Sequence, residues 1–135
     1  MTNLAVPLMR MKIANTESMK NMKNIKRPTD RIEILATLMY ALSQARIAEL
    51  DYIEKNGEPM YCGFAWVRMP ANTNFSKVLV ELGYAHKSQF GSGIKVWNPG
   101  RSSTQSMDIK FAGASAFAKV CQDYGLKAVA ECRAD

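Results

Sequence analysis

The amino-acid sequence predicts an α+β fold in which helices pack on a mainly antiparallel sheet. Helical and strand-like segments alternate after residue 57, and a longer helical segment precedes them. The strand-like segments are short and include a hairpin pattern, which favours antiparallel pairing. The chain has 135 residues, of which 47% are hydrophobic, so it can bury one core of ordinary size without disulfides or metals.

A first helix of about 26 residues is predicted to begin after Asp30 and to end at Asn56-Gly57. Asp30 can accept hydrogen bonds from the free amides of the first turn, and Glu33 completes a capping box. The stripe predicted to be buried consists of Ile34, Leu35, Leu38, Ala41, Leu42, Ala45, Ala48 and Tyr52. The acidic residues predicted to form a solvated face are Glu33, Glu49, Asp51 and Glu54.

The next two elements are predicted to be a strand and a second helix. Residues 60–69 are rich in aromatic and apolar side chains on both faces, which is typical of a central strand. Residues 72–83 follow a helical period, with Asn72 or Thr73 as the N-cap and Gly83 as the stop.

A β-hairpin is predicted for residues 84–97, with Gly91-Ser92-Gly93 as its turn. A third helix is predicted to begin near Ser106, and its small residues 112–116 allow close approach to a neighbouring helix. Residues 126–132 alternate as a final strand.

Without the first helix, the order of elements is β-α-β-β-α-β. This is the split pattern of ferredoxin-like domains, in which two helices lie on one face of a four-stranded antiparallel sheet. The sequence therefore predicts a ferredoxin-like domain over residues 29–135, preceded by a basic, flexible leader over residues 1–28. The long N-terminal helix is an addition, predicted either to cover the other sheet face or to pair with a second copy in a homodimer.

Charge is distributed unevenly along the chain. Residues 1–28 hold six basic residues and one acidic residue, whereas the other 107 residues hold 12 basic and 11 acidic ones. A basic leader on a nearly neutral domain can attract nucleic acid or an acidic protein surface. A solvated tail that keeps the domain soluble explains the same pattern.

The sequence does not favour catalysis, and no cofactor or metal is predicted. His86 is the one histidine, so neither a metal cluster nor a catalytic relay can be recognised around it. Gly91-x-Gly93 joins two strands and therefore does not open a nucleotide-binding helix. No carboxylate pair, P-loop or G-x-S-x-G elbow is found. We therefore expect a protein that binds a partner and is not an enzyme.

The cysteines and the hydropathy pattern predict a protein of the cytoplasm that does not interact with membranes. Cys62, Cys121 and Cys132 lie in apolar stretches without C-x-x-C spacing, so we expect three core thiols. No apolar run is long enough for a transmembrane helix, and residues 1–7 lack the pattern of a secretory signal.

Strand alternation predicts one sheet face that combines aromatic and basic side chains. Such a face is typical of proteins that hold single-stranded nucleic acid, because bases stack on rings and phosphates meet cations. In the alternative interpretation the first helix buries the same aromatic residues and the charged ends reach solvent. The predicted nucleic-acid-binding residues are Phe64, Trp66, Arg68, Lys95, Trp97, Lys127 and Arg133 in the sheet, and Lys23, Lys26 and Arg27 in the leader.

Three segments resemble uncharacterised small proteins encoded by bacteriophages. They are C-G-F-A-W-V from Cys62, F-S-K-V-L-V-E-L-G-Y from Phe75, and the C-terminal D-Y-G-L-K-A-V-A-E-C-R-A-D. The resemblance covers roughly residues 58–135. It implies the cytoplasm of an infected bacterium, and it implies no activity and no functional residues.

Two functional hypotheses follow. The first is an accessory protein that binds single-stranded DNA or RNA through the aromatic and basic sheet face. The second is a protein-binding factor that inhibits or redirects a host protein, for example a defence or transcription component, or a small assembly protein.

Overall fold

The computed structural model describes residues 27–89 and 91–135. In this part of the chain, three helices and four strands form an α+β structure, as predicted. The elements in chain order are α1 (Arg31–Asn56), β1 (Gly63–Met69), α2 (Asn74–Glu81), β2 (His86–Lys87), β3 (Ile94–Trp97), α3 (Met107–Asp123) and β4 (Val129–Ala134).

The four strands form one sheet in the order β2-β3-β1-β4, and every neighbouring pair is antiparallel. The prediction that β1 is a central strand is confirmed. The hairpin pairs β2 with β3 over only two residues of β2, fewer than the sequence suggests. Its turn requires glycine at position 93, because the backbone there has φ +101° and a Cβ would lie 2.6 Å from the Met69 carbonyl oxygen.

Side chains near the helix ends set the helix boundaries. Asp30 accepts a hydrogen bond from the Glu33 amide at 2.8 Å, and Glu33 accepts one from the Asp30 amide at 3.3 Å. This capping box is the predicted one, and α1 ends at Gly57 with a positive φ of 71°. Thr73 caps α2 and Ser106 caps α3 through their side-chain oxygens.

The long helix α1 packs along α3, and all three helices contribute to one core on the same side of the sheet. The prediction that α1 covers the other sheet face is wrong. The reason is the fit between two helices: Leu38, Ala41 and Ala45 of α1 are buried, and α3 offers Gly113 and Ala114 for close approach. Pairing of α1 with a second copy stays a prediction.

The predicted stripe of α1 is displaced slightly around the helix. Ile34, Leu38, Ala41 and Ala45 are fully buried as predicted, whereas Leu35, Leu42, Ala48 and Tyr52 are only partly buried. Thr37 and Glu49 complete the buried side, so the prediction of a solvated Glu49 is wrong. The packing of α1 against a second helix determines that these polar residues are buried. The periodicity of the sequence alone does not show where such a contact will form.

The three cysteines differ in their surroundings. Cys121 is a core thiol as predicted, and burial raises its pKa to about 12. Cys62 is only half-buried, and Cys132 is exposed. The prediction of a core thiol is therefore wrong for Cys62, which lies outside the core cluster, and for Cys132, because β4 is an edge strand of the described sheet.

Candidate functional site

The sheet face opposite the helices, which we call the open face, carries a row of aromatic side chains among charged ones. The interpretation that α1 buries these aromatic residues is wrong, since no described helix covers this face. Alternation along each strand brings Val129 of β4, which lies opposite Arg68, and seven aromatic or charged side chains to it. The seven are Phe64, Trp66 and Arg68 from β1, Lys95 and Trp97 from β3, and Glu131 and Arg133 from β4.

Strand register brings the three rings into contact. Trp66 lies directly opposite Trp97, and their rings stack with centroids 5.5 Å apart and planes inclined by 3°. Phe64 lies 5.6 Å from the Trp97 ring at an angle of 35°. Trp97 is 44% exposed, and Phe64 and Trp66 are half-buried. Trp97 is therefore the ring most available to a ligand.

Cations lie at both ends of this aromatic row. The Lys95 ammonium is 4.7 Å from the centroid of the Trp66 ring, within the range of a cation–π contact. At the other end, Lys110 Nζ and the Arg133 guanidinium carbon lie 5.4 and 5.9 Å from the Phe64 centroid. Positive charge and ring surface are thus adjacent at both ends of the row.

Glu131 is the acidic residue that the described strands place on the open face, and it organises two neighbours. One carboxylate oxygen accepts a hydrogen bond from Trp66 Nε1 at 2.9 Å. The other lies 3.2 Å from Arg68 Nε in an ion pair. These contacts hold the indole and the guanidinium in place, and they neutralise part of the positive charge. Asp135 follows directly after β4.

The predicted site residues fall into four groups. Phe64, Trp66, Arg68, Lys95, Trp97 and Arg133 lie together on the open face. Lys127 precedes β4 and is exposed at the end of this face. Arg27 lies away from the rings, where its Nε and Nη2 donate to the Gly125 carbonyl oxygen at 3.3 and 3.1 Å. Lys23 and Lys26 lie outside the described residues.

Three side chains near the open face were not among the predicted site residues. Alternation alone places Glu131 there, but its bonds to Trp66 and Arg68 depend on the register of two strands. His86 lies beside Lys95 in the same register, so this exposed histidine also borders the face. Lys110 belongs to α3, and no local pattern predicts that it reaches Phe64.

A second cluster of charged residues, away from the open face, is centred on Glu49. The Glu49 side chain is fully buried, and neither carboxyl oxygen has a hydrogen-bond partner among the residues that the structure describes. Burial raises the Glu49 pKa to about 7, and the nearby charges of Arg46 and Lys110 oppose that rise. A Cβ at Gly100 would overlap the carboxyl group, so the site is closed by backbone and has no room for a ligand.

Within residues 27–89 and 91–135, no group of three histidine, cysteine or acidic side chains lies where it could hold a metal ion. In the same part of the chain, no helix has the length and apolar composition needed to cross a membrane. Comparisons with protein families, curated proteins and solved structures found no match to this chain.

Proposed function

We propose that this protein binds single-stranded nucleic acid through the open face. The observation that carries this proposal is the row Phe64–Trp97–Trp66, which lies on a sheet face that no described helix covers and has cations at both ends. Exposed rings offer bases a stacking surface, and neighbouring lysines and arginines attract phosphates.

The charges within the strands support an anionic ligand. Arg68, Lys95 and Arg133 contribute three positive charges to the open face and Glu131 one negative charge, so the balance is +2. Because stacking and phosphate attraction do not depend on base identity, we expect little sequence preference. Neither contact involves the sugar, so DNA and RNA should bind with similar affinity.

The finer fold assignment is part of the same proposal. We infer a ferredoxin-like domain with α1 as an N-terminal addition, supported by the strand order β2-β3-β1-β4 and the element order β-α-β-β-α-β after α1. The protein acts by binding and without catalysis. The resemblance to bacteriophage proteins favours the cytoplasm of an infected bacterium as its place of action.

Substitution of the most exposed ring tests the proposal. Trp97→Ala should weaken binding of a labelled oligothymidylate of about 12 nucleotides by roughly 5- to 150-fold, since a stacked base contributes about 1–3 kcal/mol. Fluorescence anisotropy measures the affinity, and circular dichroism establishes that the variant is folded. An oligouridylate of equal length should respond in the same way.

Two control variants separate stacking from general loss of apolar surface. Trp97→Phe keeps an aromatic ring and should retain most of the affinity. Leu50→Ala removes a comparably exposed side chain (51%) from α1, on the other side of the sheet, and should leave the affinity unchanged. A folded Trp97→Ala variant that binds as tightly as the wild type would exclude the open face as the site.

One feature favours the protein-binding alternative. Strand β4 is at the edge of the sheet among the described strands, and its Val129 is 50% exposed. An extended segment of another protein can add to such an edge. That mode predicts binding that tolerates high salt and is unaffected by Trp97→Ala. Binding of nucleic acid predicts the opposite result in both measurements.

A further inference from the structure

Three cavities lie in a row beyond the end of β1 and form what we call the basic groove. The first, of about 240 Å³, is lined by Arg68, Lys127 and the hairpin turn at Ser92. The second, of about 370 Å³, shares Pro70 and Lys127 with the first. The third, of about 330 Å³, shares Arg27 with the second. The three cavities therefore adjoin one another along these common lining residues.

The described walls of the basic groove carry only positive charge. Arg68, Lys127 and Arg27 line it, and none of the described lining residues is acidic. Lys127 is exposed and forms no ion pair with any residue of the described chain, so its full charge is available to a ligand. Arg68 shares its charge with Glu131, as described above. A cleft with these walls suits a polyanion.

The groove connects two other basic regions of the protein. At one end Arg68 and Val129 belong to the open face, where Arg68 lies opposite Lys95. At the other end is Arg27, which directly follows Lys26 of the basic leader. Within the described residues, the basic groove therefore runs from Arg68 at the end of the open face to Arg27.

We propose that the sugar–phosphate backbone of the bound strand leaves the open face past Arg68 and follows the basic groove toward Arg27. This inference rests on the proposed function and adds the course of the strand. The aromatic row holds bases, and Lys127 holds phosphate without reading sequence. The ligand is consequently a strand long enough to occupy both the open face and the basic groove. Because the groove residues contact phosphates, they make the affinity depend on salt concentration.

The test compares salt dependence in charge variants, using the labelled oligothymidylate of about 12 nucleotides. Loss of one phosphate contact lowers the slope of log affinity against log salt by about 0.7 for single strands. Lys127→Gln should show that loss, and Trp97→Ala should reduce affinity with little change in slope. Lys119→Gln is the matched control, because Lys119 lies on α3 and pairs with Asp123 away from the groove. It should keep the wild-type slope.

A second substitution examines the far end of the groove. Arg27→Lys keeps the charge and should keep the slope, whereas Arg27→Gln should lower it. Thermal unfolding of both variants checks the bond from Arg27 to the Gly125 carbonyl. If both destabilise the protein equally but only Arg27→Gln alters the slope, the groove contact is supported.

The outcomes distinguish the groove from the open face. If Trp97→Ala weakens binding but Lys127→Gln and Lys119→Gln give equal slopes, the groove is excluded and the proposed function stands. If Lys127→Gln lowers the slope but Trp97→Ala has no effect, the aromatic row is excluded as a binding surface. If the wild-type protein binds no single strand at low salt, both proposals are wrong.

Discussion

At the scale of single residues, Glu49 has an unfavourable setting for a charged side chain. Its buried carboxyl group has no hydrogen-bond partner in the described part of the chain, and burial raises its pKa to about 7. Arg46 on the same helix and Lys110 on α3 oppose this rise without cancelling it. Near neutral pH, ionisation of Glu49 therefore works against the folded state.

The direction of the pH effect follows from linkage. Between the ordinary carboxyl value of 4.5 and about 7, the folded protein holds a proton at Glu49 that the unfolded chain has released. Protonated Glu49 makes its full contribution to the free energy of unfolding below pH 4.5, and this contribution is lost as the pH rises to about 7. Above that pH, the titration of Glu49 causes no further change in the free energy of unfolding.

Glu49→Gln should remove this pH dependence. The variant should exceed the wild type in free energy of unfolding by about 1–3 kcal/mol at pH 8, since each unit of pKa shift corresponds to about 1.4 kcal/mol. Near pH 5 the difference should be small. Urea unfolding at a series of pH values measures both quantities.

Glu54→Gln is the control for this prediction, because Glu54 is an exposed residue of the same helix. It should reproduce the wild-type pH profile. A constant difference between wild type and Glu49→Gln from pH 5 to pH 8 would mean that Glu49 does not titrate in this range.

At the scale of elements, the contact between α1 and α3 depends on the absence of a side chain at Gly113. A Cβ there would lie 2.6 Å from Glu49 Oε2. The carboxyl group cannot move away easily, since Gly100 closes it from another direction. Two glycines and one buried carboxylate thus determine how closely the helices approach.

Gly113→Ala should destabilise the protein by about 1–3 kcal/mol through overpacking. In an exposed helix the same change is stabilising by up to about 1 kcal/mol, so the expected sign is reversed. Thermal or urea unfolding measures the difference. In a Glu49→Ala background the cost should disappear, and a Gly113→Ala variant more stable than the wild type would show that the helices are not in close contact here.

At the scale of the whole molecule, placing all three described helices on one side leaves the open face to solvent or to a partner. Fluorescence can show which of the two applies to the free protein. A neutral quencher such as acrylamide should reach Trp97 much more readily than Trp66, because Trp97 is 44% exposed and Trp66 is half-buried. Trp97→Phe should therefore remove most of the quenchable emission.

The dependence on protein concentration is the second part of this measurement. Quenching that stays constant on dilution indicates a face that is free in solution. Quenching that rises on dilution would reveal a second copy seated on the face, and the aromatic row would then be an interface between copies.

The sequence determined the features that depend on close neighbours in the chain. Capping by Asp30, Thr73 and Ser106 and the alternation of β1 were predictable, because hydrogen bonds and side-chain direction within a few residues decide them. The same alternation placed Phe64, Trp66 and Trp97 on one face. The aromatic part of the candidate site was therefore visible in the sequence.

Only the tertiary structure decided where α1 packs, why Glu49 is buried and how Glu131 joins Trp66 to Arg68. Each of these depends on residues far apart in the chain. An amphipathic helix can cover a sheet or another helix, and its own periodicity does not distinguish the two. The small residues of α3 allow α1 to approach closely, so α1 packs on α3. As a consequence, no described helix covers the open face.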